Sequence, residues 1–158
     1  IPYIIDRACE KGMTIAFNPS PYDQAVSQCD LSKVSILLIN EIEGWQISGH
    51  KQPEDILSHI HSRYPDMAVV LTLGKEGGIY QDKRRRLSHG IYPVPVVDTT
   101  AAGDTFTGYF LSSLTQGKPV EEALELASKA AAIAVSRKGA APSIPTLAEV
   151  LAYSFPEP

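Results

Sequence analysis

The sequence predicts an α/β fold, a three-layer α/β/α sandwich on a mainly parallel sheet. Three short apolar runs, over 13–17, 34–39 and 68–73, are near-continuous rather than alternating, as in strands buried on both faces. Stretches with helical spacing lie between and after them, and that alternation builds parallel sheets covered on both sides. Turn-forming residues close each run: Asn18, Asn40, Gly74 and, after a β-branched run over 94–97, Asp98. Ligands of open parallel sheets gather beyond the carboxyl ends of the strands, so these four turns predict one shared rim and a site on it.

The elements follow in order. Residues 3–11 read as a helix with Ile4, Ile5 and Ala8 on one side and Gly12 as its stop. The strand over 13–17 ends in Asn18-Pro19-Ser20-Pro21, whose prolines prevent further regular structure. After the strand over 34–39, Asn40 opens a helix that ends near Gly49, and Pro53 at a first helical position starts another that runs to about Tyr64. The strand over 68–73 stops at Gly74, and 78–81 with 87–91 suggest a hairpin around 82–86. Pro95 breaks the run over 94–97, so the chain arrives there extended. From Ala101 a helix carries Phe106, Tyr109, Phe110 and Leu114 at helical spacing and ends near Gly117. An alanine-rich amphipathic helix follows over 119–135, and a short one over 147–153.

Composition narrows the function. At 158 residues, with 44% apolar and 20% charged, the chain reads as one soluble globular domain with a real core. A net charge of −4 offers no basic surface for nucleic acid. Any phosphate must therefore be held locally, by backbone dipoles and a metal. Cys9 and Cys29 have no metal or redox spacing and read as reduced thiols of the cytoplasm. No segment is apolar enough to span a membrane.

The chemistry concentrates in Asp98-Thr99-Thr100-Ala101-Ala102-Gly103-Asp104. A small-residue turn that opens a helix presents unpaired N–H groups at the positive end of the dipole, a seat for phosphate. Asp104, one step inside, would face the same anion. The residues also allow a plain N-cap, with Thr100 as cap and an acid in the first turn. A capping box wants Glu or Gln three residues after the cap, where Gly103 stands. Anion seat and plain cap both stay open at this point. Asn40-Glu41-Ile42-Glu43 reads as an Asn cap with first-turn acids, and Thr72-Leu73-Gly74-Lys75-Glu76-Gly77-Gly78 as a tight turn without Walker-loop spacing. Arg137 to Ser143 reads as a helix C-cap and loop. Lys83-Arg84-Arg85-Arg86 is the only basic run and reads as a solvated hairpin tip. His50, His59, His61 and His89 lack ligand spacing with Cys or acids, and no Ser/His/Asp arrangement stands out.

The Asp98–Asp104 stretch resembles the signature of the ribokinase-like carbohydrate kinases. The later run Ala134-Val135-Ser136-Arg137-Lys138-Gly139-Ala140-Ala141-Pro142-Ser143-Ile144-Pro145 is similar to that of the ribose-phosphorylating members. The resemblance implies ATP-dependent transfer of phosphate to a sugar hydroxyl, ribose to ribose 5-phosphate. Fructose, 2-keto-3-deoxygluconate or a nucleoside are the alternative acceptors. A nucleotide-binding module or inactive homologue is the alternative class, and the intact Asp104 favours an enzyme.

The family motif implies Asp104 as the base, with N–H groups of Ala101, Ala102 and Gly103 on the transferring phosphoryl group. Asn40 and Glu43 match an Asn-x-x-Glu motif, which implies Asn40 near phosphate and Glu43 on magnesium-bound water. Thr72 and Gly74 match a Thr-Leu-Gly-x-x-Gly loop along the nucleotide, and adenine would lie near Lys129 and Ala132. Asp98, Thr100, Ala134, Arg137, Gly139 and Ser143 would supply oxygens, mostly carbonyls, to a monovalent cation. The implied small molecules are thus ATP, Mg2+, K+ and a small sugar, in a cytoplasmic full-length homodimer. Kinases of this family are longer, and the match is to their C-terminal portion. The chain is therefore expected to be one partial domain, 1–158, the nucleotide-binding and catalytic portion of a longer kinase and unable to phosphorylate sugar alone.

Overall fold

The computed structural model describes residues 1–155. It divides into two compact units, Ile1–Ser88 and His89 onward. Of the expected domain over 1–158, residues 156–158 lie outside the described residues. Among the described residues no helix is long and apolar enough to cross a membrane.

The first unit runs α1 (Pro2–Glu10), β1 (Ala16–Phe17), α2 (Gln24–Ser27), β2 (Ile36–Asn40), α3 (Glu41–Ser48), α4 (Pro53–Arg63), β3 (Ala68–Thr72), β4 (Gly78–Gln81) and β5 (Arg86–His89), the last ending one residue beyond the unit. The sheet has the order β1-β2-β3-β4-β5. β1 pairs parallel to β2 and β2 parallel to β3, while β4 returns antiparallel to β3. Leu37, Ile39, Val69 and Leu71 fill one face with Ile56, Leu57 and Ile60 of α4. Leu38 and Val70 alternate to the opposite face and are buried as well. Continuous apolar runs are therefore what these strands require, at about 1.5–3 kcal/mol for each large side chain buried.

Local chemistry sets the ends. Asn40 caps α3 in a complete capping box, and Gly49 ends that helix in the left-handed conformation at φ 78. Pro53 opens α4, with Glu54 and Asp55 in its first turn. Gly44 lets α3 approach closely, because a Cβ there would lie 3.0 Å from Ile56 Cγ2.

Several expectations are corrected. Of the expected inner side of α1, Ile5 is buried but Ile4 is 69% exposed. The strand over 13–17 shrinks to Ala16–Phe17, since Met13 N donates to Ala8 O and prolongs the helix-end turn. α2 was not anticipated: four residues are too few for periodicity, although Asp23 caps it through Val26 N at 2.8 Å. The basic run is paired rather than simply solvated. Lys83 reaches Asp66 at 2.9 Å, Arg85 reaches Asp82 at 3.2 Å, and Arg86 grips Glu54 with a 2.6 Å bond.

The second unit holds α5 (Ala102–Thr115), α6 (Val120–Val135) and α7 (Leu147–Ala152). Phe106 and Phe110 of α5 are buried, as are Ala123, Leu124, Ala127, Ala130 and Ile133 of α6, whose small side chains permit close helix approach. Val150 of α7 packs on Ala130 and Ile133, with Tyr109 and Leu126 against them. His89 is stacked on Phe106 at 5.3 Å between centroids, with Nδ1 2.9 Å from Ser128 Oγ. Its burial depresses the imidazole pKa.

No strand forms over 94–97, so Asp98 does not follow one. Pro93 and Pro95 remove ladder donors, and Val96 and Val97 are 68% and 61% exposed. Val97 N and Asp98 N instead donate to Val135 O at 2.8 and 3.1 Å.

Candidate active site

In the first unit four expected residues meet at the carboxyl ends of β2 and β3. Asn40 and Thr72 are direct register partners, so Glu43 begins one turn beyond the first and Gly74 stands two residues beyond the second. Asn40 N donates to Glu43 Oε2 at 2.9 Å, and Asn40 Oδ1 accepts from Glu43 N at 3.0 Å. Glu43 is 4% exposed, held in a fixed pose rather than solvated. Thr72 Oγ1 donates across the sheet to Ile39 O at 3.3 Å. Gly74 has φ 54 and opens a short 3-10 turn, a conformation that favours glycine. Asn18, at the end of β1, accepts from Ser20 N.

In the second unit the expected cap is displaced. Ala101, not Thr100, is the N-cap of α5, in the left-handed conformation at φ 64 and ψ 7, and no side chain caps the helix. Thr100 is drawn off by Asp98, whose Oδ1 accepts from Thr100 N at 2.9 Å. The Ala102 amide, expected to be open, instead donates to Thr99 O at 3.2 Å, so those of Gly103 and Asp104 are the first-turn amides of this 14-residue helix that no side-chain oxygen caps. Asp104 is the acid of that turn, and both Gly103 and Asp104 are exposed. A Cβ on Gly103 would meet nothing within 4 Å. An anion can therefore approach the turn freely.

The second carboxylate oxygen of Asp98 accepts from Gly139 N at 2.9 Å and ties the signature turn to the loop after α6. Bonds from the Thr100 hydroxyl and amide, and from Gly139, hold the Asp98 carboxyl below the usual range. In that loop Ser143 is fully buried and its hydroxyl donates to Ala140 O at 2.7 Å. Arg137 N donates to Ala134 O at 3.1 Å, and Arg137 Nη2 reaches Glu149 Oε1 at 2.8 Å. Lys129 is occupied by Glu125 at 2.6 Å and sits 5.4 Å over the Tyr92 ring. Ala132 and Ala134 are buried at 8% and 0% exposure.

Sequence reasoning missed the left-handed Ala101, since alanine carries no signal for positive φ. It also missed the Arg137–Glu149 pair and the bond from Tyr109 to Pro145, which long-range packing alone creates.

A mixed sheet with parallel β1, β2 and β3, a capping box at one strand end and a helix that no side chain caps define an α/β protein whose candidate site residues lie at strand ends and a helix start. The chain belongs to the pfkB family of carbohydrate kinases, whose model matches residues 4–147. Ribokinase of Schizosaccharomyces pombe is 35% identical over 151 residues, covering 90% of this chain and 47% of the relative. Ribokinase of Haemophilus influenzae is 36% identical over 152 residues, covering 92% and 49%. Fructokinase-1 of Oryza sativa subsp. japonica is 37% identical over 131 residues, covering 78% and 39%.

Among solved structures, ribokinase from Cryptococcus neoformans var. grubii serotype A in complex with ADP matches with a TM-score of 0.85 and 28% identity, over 95% of this chain and 54% of that one. Arabidopsis thaliana ribokinase complexed with ribose and ATP matches with a TM-score of 0.79 and 28% identity, over 96% and 51%. The fold is thus the α/β fold of the ribokinases. The chain spans about half the length of the curated ribokinases it matches.

Proposed function

We propose that these residues form the nucleotide-binding and catalytic portion of an ATP-dependent sugar kinase, with ribose as acceptor and ribose 5-phosphate as product. The observation that carries this reading is the exposed Asp104 in the first turn of an uncapped helix, beside the small residues Ala101, Ala102 and Gly103. The acceptor hydroxyl oxygen bonds to the γ-phosphorus of ATP while the bond from that phosphorus to the bridging oxygen of ADP breaks. Asp104 takes the hydroxyl proton, and ADP leaves with the bridging electron pair. Amides of the first turn stabilise charge on the transferred phosphoryl oxygens. Most of the rate in such transfers comes from positioning and electrostatics.

Two ions belong to this reading. Among the described residues no group of three or more His, Cys, Asp or Glu could hold a metal by itself. Magnesium keeps several waters and needs only one or two carboxylates besides substrate phosphates, so the single fixed carboxylate of Glu43 fits it. When bound, it would neutralise phosphate charge, with Asn40, Thr72 and Gly74 along the nucleotide. A monovalent cation fits the junction of Asp98 and Thr100 with Ala134, Arg137, Gly139 and Ser143, which the Asp98–Gly139 bond already draws together. Lys129 and Ala132 line the approach of adenine.

The test is ADP release by the protein as its gene expresses it, with ATP and magnesium, over ribose, fructose, 2-keto-3-deoxygluconate and a nucleoside. Ribose is expected to give the highest kcat/KM, and potassium to activate more than sodium or lithium. The fructokinase relative makes fructose the competing acceptor. A preference for fructose would overturn the ribose assignment, and equal rates in all three salts would overturn the cation site.

A further inference from the structure

Tyr109 lies in mid α5, one and a half turns after Asp104. Its ring packs against the cluster of Ala130, Ile133 and Val150, and its hydroxyl donates to Pro145 O at 2.6 Å. Pro145 is buried, and it stands where the loop after α6 turns into the N-cap of α7. That loop is also pinned at Gly139 by Asp98 and at Arg137 by Glu149. The first of these anchors comes from the turn before α5, and the second from α7. The Tyr109 anchor comes from α5 itself, the helix that carries Asp104, and a helix is stiff over the roughly 7.5 Å of rise between the two residues.

We propose that Tyr109 is a positioning residue whose hydroxyl fixes the Arg137–Ser143 loop in register with the helix bearing the base. Occupancy of the loop by a monovalent cation is thereby coupled to placement of Asp104. This inference rests on the kinase reading above, but its geometry lies wholly within α5, α6, α7 and the loop between the last two. Burial is also the main reason the phenol resists ionisation, so it stays a donor at neutral pH.

Tyr109→Phe keeps the packed ring and removes only the donor, leaving a buried carbonyl unpaired. Two readouts decide the matter. Hydrogen exchange of the amides over 139–146, measured without ligand, is expected to speed up in the variant. The potassium concentration for half-maximal activation of ribose-dependent ADP release is expected to rise by about threefold to thirtyfold, and the fold activation at saturating potassium to shrink. Faster exchange with an unchanged potassium constant would show a purely structural bond and overturn the proposal. Unchanged exchange would overturn it as well. A wild-type enzyme indifferent to potassium would instead strike the cation site itself, and the inference would fall with it.

Discussion

Ala101 takes a left-handed backbone at φ 64, which costs a non-glycine residue about 1–2 kcal/mol. The strain turns the chain from the Asp98 loop into α5 within one residue, and no side chain caps the helix that follows. Strain of this kind gathers at binding and catalytic turns. Gly103, two residues on, makes a clean probe of the turn. An added Cβ there meets nothing within 4 Å outside its own stretch of helix, so the turn has room for a side chain. Gly103→Val should keep or slightly raise the thermal midpoint, because valine is the better helix former. If the proposed phosphate seat is right, it should weaken ATP binding at least about tenfold, since a β-branched side chain crowds the amides of that turn. Calorimetric titration with ATP beside a melting curve checks both halves. Unchanged affinity would move the phosphate seat away from this turn.

At the scale of elements, α3 and α4 meet through Gly44, whose missing side chain admits Ile56 and Leu71. Gly44→Ala sets two effects against each other. Helix propensity gains about 1 kcal/mol, while forcing a methyl to 3.0 Å from the fully buried Ile56 costs about 1–3 kcal/mol. Packing wins, and a net loss of about 1 kcal/mol is expected in a urea melt; a gain would mean that α4 shifts freely. Elements of this unit were legible where chemistry is local. The continuous apolar runs marked β2 and β3, and Asn40 with acids after it marked the cap of α3, though not the reciprocal bond by which Glu43 completes a capping box. The run over 94–97 is extended as expected, but Asp98 does not stand at a strand end, because Pro93 and Pro95 keep the run out of any ladder and leave Val96 and Val97 exposed. The Arg86–Glu54 and Arg137–Glu149 pairs were illegible for a different reason: partners 32 and 12 residues apart meet only through tertiary packing.

For the whole molecule, the proposed site residues divide between the two units. Asn40, Glu43, Thr72 and Gly74 stand at the strand ends of the first, and Asp98 to Asp104 with the Gly139 loop in the second. Their motifs were legible in the sequence, but their local hydrogen bonds were not. The exchange of Asp98 between Thr100 and Gly139 is the clearest case, since it frees the helix start from the cap that spacing alone suggests. We propose Asp104 as the base of a sugar kinase, and Asp104→Asn, made in the protein as its gene expresses it, isolates that role. The substitution keeps size and hydrogen bonding and removes only the proton acceptor. ATP affinity should stay within about twofold, while ribose-dependent ADP release falls by about 10²–10⁴, the usual worth of a general base. Turnover near wild type with intact ATP binding would contradict the account and remove Asp104 from the chemistry.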